Sequence, residues 1–537
     1  MRPVTQHSAE PARAFHESTK LSYINLGNKP PLYKSYPGVP TIPLPTGKLD
    51  LGASALPAVA GTVGAAEEPF SLDTLSKLLY FSAGVIRKAV LRMAGEVHYR
   101  AAASAGALYP IEAYLVCRDL PGLEAGVYHF APAEFSLRRL RAGDYRAHLA
   151  NAAADEPALL TSPVTIVFSC LFWRSAWKYR SRGYRYCFWD NGTVAANLMA
   201  AASAMGLSSK LLLGFVDQQV DQLIGIDGEH EASTCLVPIG HPDDDSGLAS
   251  DRFFVAQLPD VAQLPDITGL GATNFVDEIV YEDIGRTHAA TRLSSQAEVK
   301  SWRGGFAPPT PAAGQSLIRL EGQDPAAVDA KTLGQVIAAR GSARRFAREA
   351  ISLAQFSALL ECSTRGIAAD FLDDEGQSLL DIYLIVNAVA GLPSGAYFFS
   401  PIQPGLELLQ EGDLREEAGH LCFEQALGTD AAAVVFIMAD LNRILGRFGN
   451  RGYRAARTEP GIIGGKLYLC AYSLGLGASG ITFYDNEISE FFLPHSAGRD
   501  VMFVVTLGQT AEANRVRPFR SRVAVKLDAL ARGAWHS

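Results

Sequence analysis

RGYRYCFWDNGTVAANLMAAASAMGLSSKLLLGFVDQQ (182–219) and RGYRAARTEPGIIGGKLYLCAYSLGLGASGITFYDNEI (451–488) open on the same four residues, 269 positions apart. Without a gap, the same shift pairs Tyr114 with Tyr383, Gly122 with Gly391, Gly126 with Gly395 and Tyr128 with Tyr397. It also pairs the apolar run PVTIVFSC from Pro163 with AAVVFIMA from Ala432, and Phe215 with Tyr484. One constant offset over so long a span predicts a duplicated domain. The Ala- and Gly-rich segments 191–207 and 460–476 are apolar almost all round, so each is expected to be a buried helix, packed on its twin through small residues.

Each copy carries the same grammar. An amphipathic helix (SLDTLSKLLYFS; SLAQFSALLECS) precedes a strand (EAYLVCR; DIYLIVN) and a GL..G.Y.F turn. A buried strand, the apolar helix and a last apolar strand (CLVPIG; MFVVTLG) follow. The fold class expected is α+β, with two tandem domains forming an intramolecular pseudo-dimer. Residues 1–50, rich in proline (NKPPLYKSYPGVPTIPLP), read as an extended arm; 51–245 as the first domain; 246–330, punctuated by Pro, Gly and Asp, as a connector; 331–537 as the second domain.

Composition narrows the function. A chain of 537 residues exceeds what one core usually supports, and 48% hydrophobic with 19% charged residues is ordinary for folded domains. The net charge of −8 argues against nucleic acid as a main partner. No apolar run has the length of a membrane helix, and the N-terminus lacks the apolar core of a secretory signal, so a cytoplasmic protein is expected. Seven scattered cysteines form no metal-like spacing, and no zinc site is expected. Gly475-Leu-Gly-Ala-Ser-Gly480 matches a dinucleotide fingerprint literally, but it closes a helix where that motif must open one. It reads as a C-cap.

RGSARRF (340–346) concentrates arginines just before the second copy's amphipathic helix, which suits an anion site. The matching stretch of the first copy, VAGTVGA, has none. The first copy instead holds HYRAAASAGALYPIEAYLV (98–116) and FWRSAWKYRSRGYRYCFWDNG (172–192). At Ser104–Glu112, Trp177-Lys178-Tyr179 and Arg182–Arg185 the chain resembles the FMN-dependent nitroreductase superfamily, and within it the SagB-type dehydrogenases that oxidise azolines in peptide natural products. The arm sequence is similar to that branch as well.

The resemblance implies a cofactor lying between two subunits. Carried over by motif, Arg340, Ser342 and Arg344 form the phosphate clamp, and Ser104, Ala105, Gly106 and Leu108 form the loop against the flavin. Gly480 and Ile481 stand where the family's backbone donor sits, and Arg515 and Arg517 match its C-terminal basic residues. Lys178 and Tyr179 are the implied catalytic pair, either of which suits the proton. In ungapped alignment the second copy shows DDEGQSL against SAGALYP and Arg447-Phe448 against Lys178-Tyr179. The first copy shows HPDDDSG against NRVRPFR. One FMN per chain is therefore expected, with one degenerate site.

The function implied is an FMN-dependent oxidoreductase acting on an amino-acid-derived or peptide-like intermediate. Biosynthetic partner proteins are expected, and the internal pair leaves monomer and higher oligomer both open. An NAD(P)H-driven nitro or quinone reductase and a flavin-free scaffold are the alternatives.

Overall fold

A computed structural model describes residues 27–47, 49–64, 70–91, 95–241, 261–271, 275, 277–306, 317–320, 331–373, 377–400 and 405–511. Arg515 and Arg517 lie outside them.

Two seven-stranded antiparallel sheets dominate. The first contains β1 (Thr41–Pro43), β4 (Ile111–Cys117), β5 (Gly126–Ala131), β6 (Ser136–Ala142), β7 (Val164–Leu171), β8 (Ser208–Ser209) and β9 (Glu231–Gly240), ordered β1-β6-β5-β4-β7-β9-β8. A separate hairpin, β2 (Val85–Leu91) with β3 (Gly95–Arg100), precedes β4. The second sheet contains β10 (Ile318–Arg319), β11 (Asp381–Val386), β12 (Gly395–Ser400), β13 (Gly405–Glu411), β14 (Ala433–Ala439), β15 (Gly477–Gly480) and β16 (Asp500–Gly508). Its order, β10-β13-β12-β11-β14-β16-β15, repeats the first position for position. Central strands β4, β7 and β9 are buried along their whole length, hence their largely apolar text, with a few buried polar residues such as Glu112 and Glu231.

The Ala/Gly-rich segments form two 22-residue helices, Gly183–Ala204 and Gly452–Ser473, which pack against each other. Their backbones touch. A Cβ built on Gly192 would stand 2.3 Å from the Thr458 carbonyl oxygen and 2.7 Å from Gly461; one on Gly461 would stand 2.5 Å from the Trp189 oxygen. Gly465 faces Ala196 and Thr193 in the same way. Gly192 and Gly461 are equivalents under the 269-residue shift, so the contact is self-complementary, as at a two-fold axis.

Polar ties cross beside it. Asp217, buried, accepts from Arg451 (2.7 and 2.8 Å) and Arg454 (2.6 Å). Burial raises the Asp217 carboxyl, but the two guanidiniums prevail and hold it at about 2. Arg182 and Arg185, from the repeated RGYR text, reach Asp485 at 2.8 and 2.6 Å.

The connector carries helices Glu282–Ala290 and Gln296–Trp302 that pack on both halves. The literal dinucleotide motif is a left-handed Gly475 (φ 78°) closing the second core helix, then strand β15. The arm's described part runs over the first sheet, where β1 pairs with β6 and Lys34 reaches Glu231 at 2.6 Å.

Adding a methyl at the helix contact should force the halves apart. Gly192→Ala is expected to lower unfolding free energy by about 1–3 kcal/mol. Gly446→Ala, in helix Leu441–Phe448 where a Cβ meets nothing within 4 Å, should instead raise it by up to about 1 kcal/mol. Urea unfolding of both variants checks this; equal effects would contradict it.

Candidate functional site

A cleft of about 890 Å³ lies between the halves and is walled by both. Ser104, Ala105, Gly106 and Leu108 line it from the first half with Lys178 and Tyr179; Arg340, Ser342, Arg344, Gly480 and Ile481 line it from the second. All the described residues predicted for the site thus share one cavity, of a size usual for cofactor-binding clefts.

The loop between β3 and β4 is strained and strapped down. Gly106 (φ 64°), Ala107 (φ 54°) and Tyr109 (φ 48°) are all left-handed. Asp190, from the first core helix, holds the loop: Ser104 Oγ donates to it at 2.5 Å and the Ala105 N–H at 3.0 Å. The Tyr109 N–H donates to Ser104 Oγ at 2.9 Å, and Thr193 Oγ1 to the Ala103 carbonyl at 2.6 Å. Burial pushes the Asp190 carboxyl up to about 7, against the opposing pull of Ser104 and Ala105.

Lys178 and Tyr179 end helix Phe172–Tyr179, which Arg180 breaks with φ 52°. They are therefore the last two residues of a helix. The Tyr179 ring meets Tyr186 edge-on, centroids 4.4 Å apart. Burial, then Tyr186 and Asp190, push its hydroxyl above the ordinary phenol value, so it stays protonated. A Cβ on Gly106 would lie 2.7 Å from the Tyr179 hydroxyl and 3.1 Å from Lys178 Nζ. Loop and side-chain pair are in contact only because residue 106 has no side chain.

From the second half, Arg340 is buried and donates through Nε to the Ala101 carbonyl at 3.0 Å and through Nη2 to the Arg100 carbonyl at 3.4 Å. Its guanidinium lies 5.6 Å from the Tyr468 ring. The Tyr468 hydroxyl is 3.0 Å from Ser342 Oγ and accepts from the Gly480 N–H at 2.7 Å. Arg344 is exposed on the cleft wall.

The expected backbone donors are already used: Gly480 on Tyr468, and Ile481 on the Val504 carbonyl at 3.1 Å. Thr482, the next residue, lines the same wall, and its N–H has no acceptor among the described residues. Arg87 on β2, its guanidinium depressed first by burial and then by the like charge of Arg340, adds a third arginine. Asp190, Thr482 and Arg87 escaped sequence reasoning. The 269-residue pairing of Asp190 with Glu459, carboxyl with carboxyl, was the available signal for the first.

That pairing also corrects the ungapped alignment of SAGALYP with DDEGQSL. Glu459 accepts from Ser378 Oγ at 2.6 Å and from the Leu379 N–H at 3.1 Å, and the Leu380 N–H donates to Ser378 Oγ at 3.1 Å. Ser378 therefore stands for Ser104, and only Leu379 separates it from Leu380, where the first half spends six residues between Ser104 and Ile111. The second loop is cut short, and the acidic residues 373–375 fall ahead of it.

The chain itself fills the twin position. Asp370 accepts from the Leu213 and Gly214 N–H groups at 2.9 and 2.8 Å, the equivalents of Thr482 and Phe483. Phe448, equivalent to Tyr179, lies against Trp302 (5.3 Å) and Phe306 (6.0 Å) of the connector. Arg447, equivalent to Lys178, donates to the carbonyls of Ser301 and Arg303 at 3.2 and 2.9 Å.

The buried carboxyl makes a pH prediction. A folded value near 7 exceeds that of an unfolded carboxyl, so the folded state holds the proton more tightly and stability falls as pH rises from about 4 to 7. Asp190→Asn keeps the Ala105 bond on its oxygen, reverses the Ser104 bond so that its amide donates to Oγ, and cannot ionise. Relative to the parent, it should gain on the order of 3 kcal/mol between pH 5 and pH 8. Urea titrations at both pH values test this, and a pH-independent difference would refute it.

Comparison with known proteins bears on the family. Residues 66–241 match the family model described as the nitroreductase family. A protein of Methanocaldococcus jannaschii, named as a nitroreductase, is 30% identical over 172 residues, covering 32% of this chain and 81% of the relative. The trifolitoxin-processing protein of Rhizobium leguminosarum bv. trifolii is 32% identical over 162 residues, 29% of this chain and 43% of that one. The microcin B17-processing protein of Escherichia coli is 28% identical over 151 residues, 27% and 55% respectively; the chain thus matches about half the length of these two. A solved structure from Anabaena variabilis, titled as a nitroreductase, superimposes with TM-score 0.70 at 26% identity, covering 93% of this chain and 99% of that one. On fold and sequence alike, the chain belongs to the nitroreductase family.

Proposed function

We propose that the chain is an FMN-dependent oxidoreductase of SagB type, a tandem duplication whose halves form a pseudo-dimer with one working site. The substrate is an amino-acid-derived or peptide-like molecule in natural-product biosynthesis. The observation that carries this is the convergence of the Ser104–Leu108 loop and Lys178-Tyr179 with Arg340, Ser342 and Arg344 on one cleft. Similarity to the two peptide-processing proteins supports the substrate class and allows for partner proteins.

The residues fit the group. Gly106, having no side chain, lets Lys178 and Tyr179 close on the loop, the Thr482 N–H offers a donor, and three arginines that suit a phosphate line the same cleft. FMN, when bound, supplies a ring that accepts a hydride. Arg344, exposed on the cleft wall, meets phosphate oxygens, while Arg340 spends part of its fork tying the halves together. The half-buried Tyr179 hydroxyl keeps its proton and acts as a hydrogen-bond donor toward substrate, which leaves Lys178 Nζ, in its neutral amine form, to take the proton released there. The shortened loop, Asp370 and the connector aromatics support a silent second position.

Flavin released by denaturation should therefore approach one per chain by absorbance; two per chain would refute the reading. Arg344→Ala should weaken FMN retention about tenfold or more, through loss of a charge-assisted contact. Lys178→Ala should keep the yellow colour and depress turnover at least a hundredfold. A protein that stays colourless after incubation with FMN would remove the proposal. Rapid bleaching by NADPH without any peptide-like substrate would favour the reductase alternative.

A further inference from the structure

Strands β2 and β3 stand apart from both large sheets as a ribbon of two strands. Such a ribbon has two open edges, and every second residue of each strand turns its N–H and C=O outward. Ala89 pairs with Val97 and Arg87 with Tyr99, so these four share one face of the ribbon, and all four line the cleft. Glu96 and His98 belong to the opposite face, yet they line the cleft as well. β2 contributes one face only. The cleft therefore wraps around the edge of β3.

That edge is unused. Beyond the bonds to β2, no backbone N–H or C=O of residues 96–99 is hydrogen-bonded among the described residues. The neighbouring arm meets β3 through side-chain contacts: the Tyr33 hydroxyl touches His98 Nδ1, and Arg100 Nη2 donates to the Leu32 carbonyl at 2.9 Å. Exposed edges are commonly guarded by proline or lysine, and GEVHYR (95–100) has neither. The ribbon has no counterpart in the second half among the described residues. The open edge thus belongs to the cleft and not to its twin position.

We propose that β3 is the docking strand for the substrate: an extended peptide segment pairs with residues 96–99 as a third strand, held in the cleft by main-chain hydrogen bonds. An extended peptide presents donors and acceptors at the repeat of a strand edge, which is the pattern this wall leaves open. The inference rests on the peptide-like substrate proposed above and adds how that substrate is gripped.

The probe is the capped peptide acetyl-Thr-Val-Ser-Val-Thr-amide at millimolar concentration, added to the full-length, flavin-loaded protein, beside the same peptide methylated on every backbone nitrogen. Amide hydrogen–deuterium exchange over Gly95–Arg100 is expected to slow with the first peptide. The methylated peptide should bind at least about tenfold more weakly, the worth of two modest hydrogen bonds. Val97→Pro and His98→Pro are made separately: one of these two N–H groups points outward, so one variant keeps the ribbon and should lose the peptide. Flavin content shows which variants are folded, and if neither is, the two peptides still decide. Unchanged exchange, equal binding of both peptides, or binding retained by a flavin-loaded proline variant would each overturn the proposal. A parent chain that takes up no flavin would remove the functional reading and this one with it, whereas a flavin-loaded chain indifferent to the peptide overturns the docking strand alone.

Discussion

The approach of two helix backbones at Gly192 and Gly461 governs the rest of the molecule. Each glycine faces main-chain atoms of the opposite helix, with room for hydrogen and nothing larger. At that distance the helices fix the relative position of the sheets, because each sheet packs on its own helix. The cleft walls come from loops at the ends of those elements. A shift of one helix against the other would carry Arg340 and Ser342 away from the Ser104 loop. Small residues in the helix are therefore a requirement of the site as much as of the core.

A second constraint works within each half. One buried carboxyl, Asp190 or Glu459, pins a serine hydroxyl and the following amide, and so fixes where the chain turns into its first central strand. The halves share this buckle and differ in the loop beyond it. Six residues after Ser104 make a left-handed turn projecting over the cleft. After Ser378 there is no room for one. The β2–β3 hairpin and Arg87 likewise belong, among the described residues, to the first half alone. Asymmetry between the halves thus arises from loop length upon a shared frame.

Much of this was legible in the text. The constant offset exposed the two sheets and their matched helices, since burial on every side leaves an apolar stretch that cannot vary freely. Arg340, Ser342, Arg344, Lys178, Tyr179 and the Ser104 loop were all readable by motif, and they meet in one cavity. What escaped depended on geometry between distant segments. Whether the Gly480 and Ile481 amides were available depended on Tyr468 and the Val504 carbonyl, which no local pattern announces. The role of Asp190 required knowing which loop passes its helix. The connector read as linker because Pro, Gly and Asp punctuate its text, yet Trp302 and Phe306 settle on Phe448.

Those two aromatics bear on how such a molecule can diverge. Where two identical subunits build a pair of sites, any substitution is written twice, and both sites must tolerate it. Here Phe448 can lose the phenol and gain a tryptophan neighbour while Tyr179 stays untouched. One face of the axis is then given over to holding the chain together, so that future change in either half is judged by a separate standard.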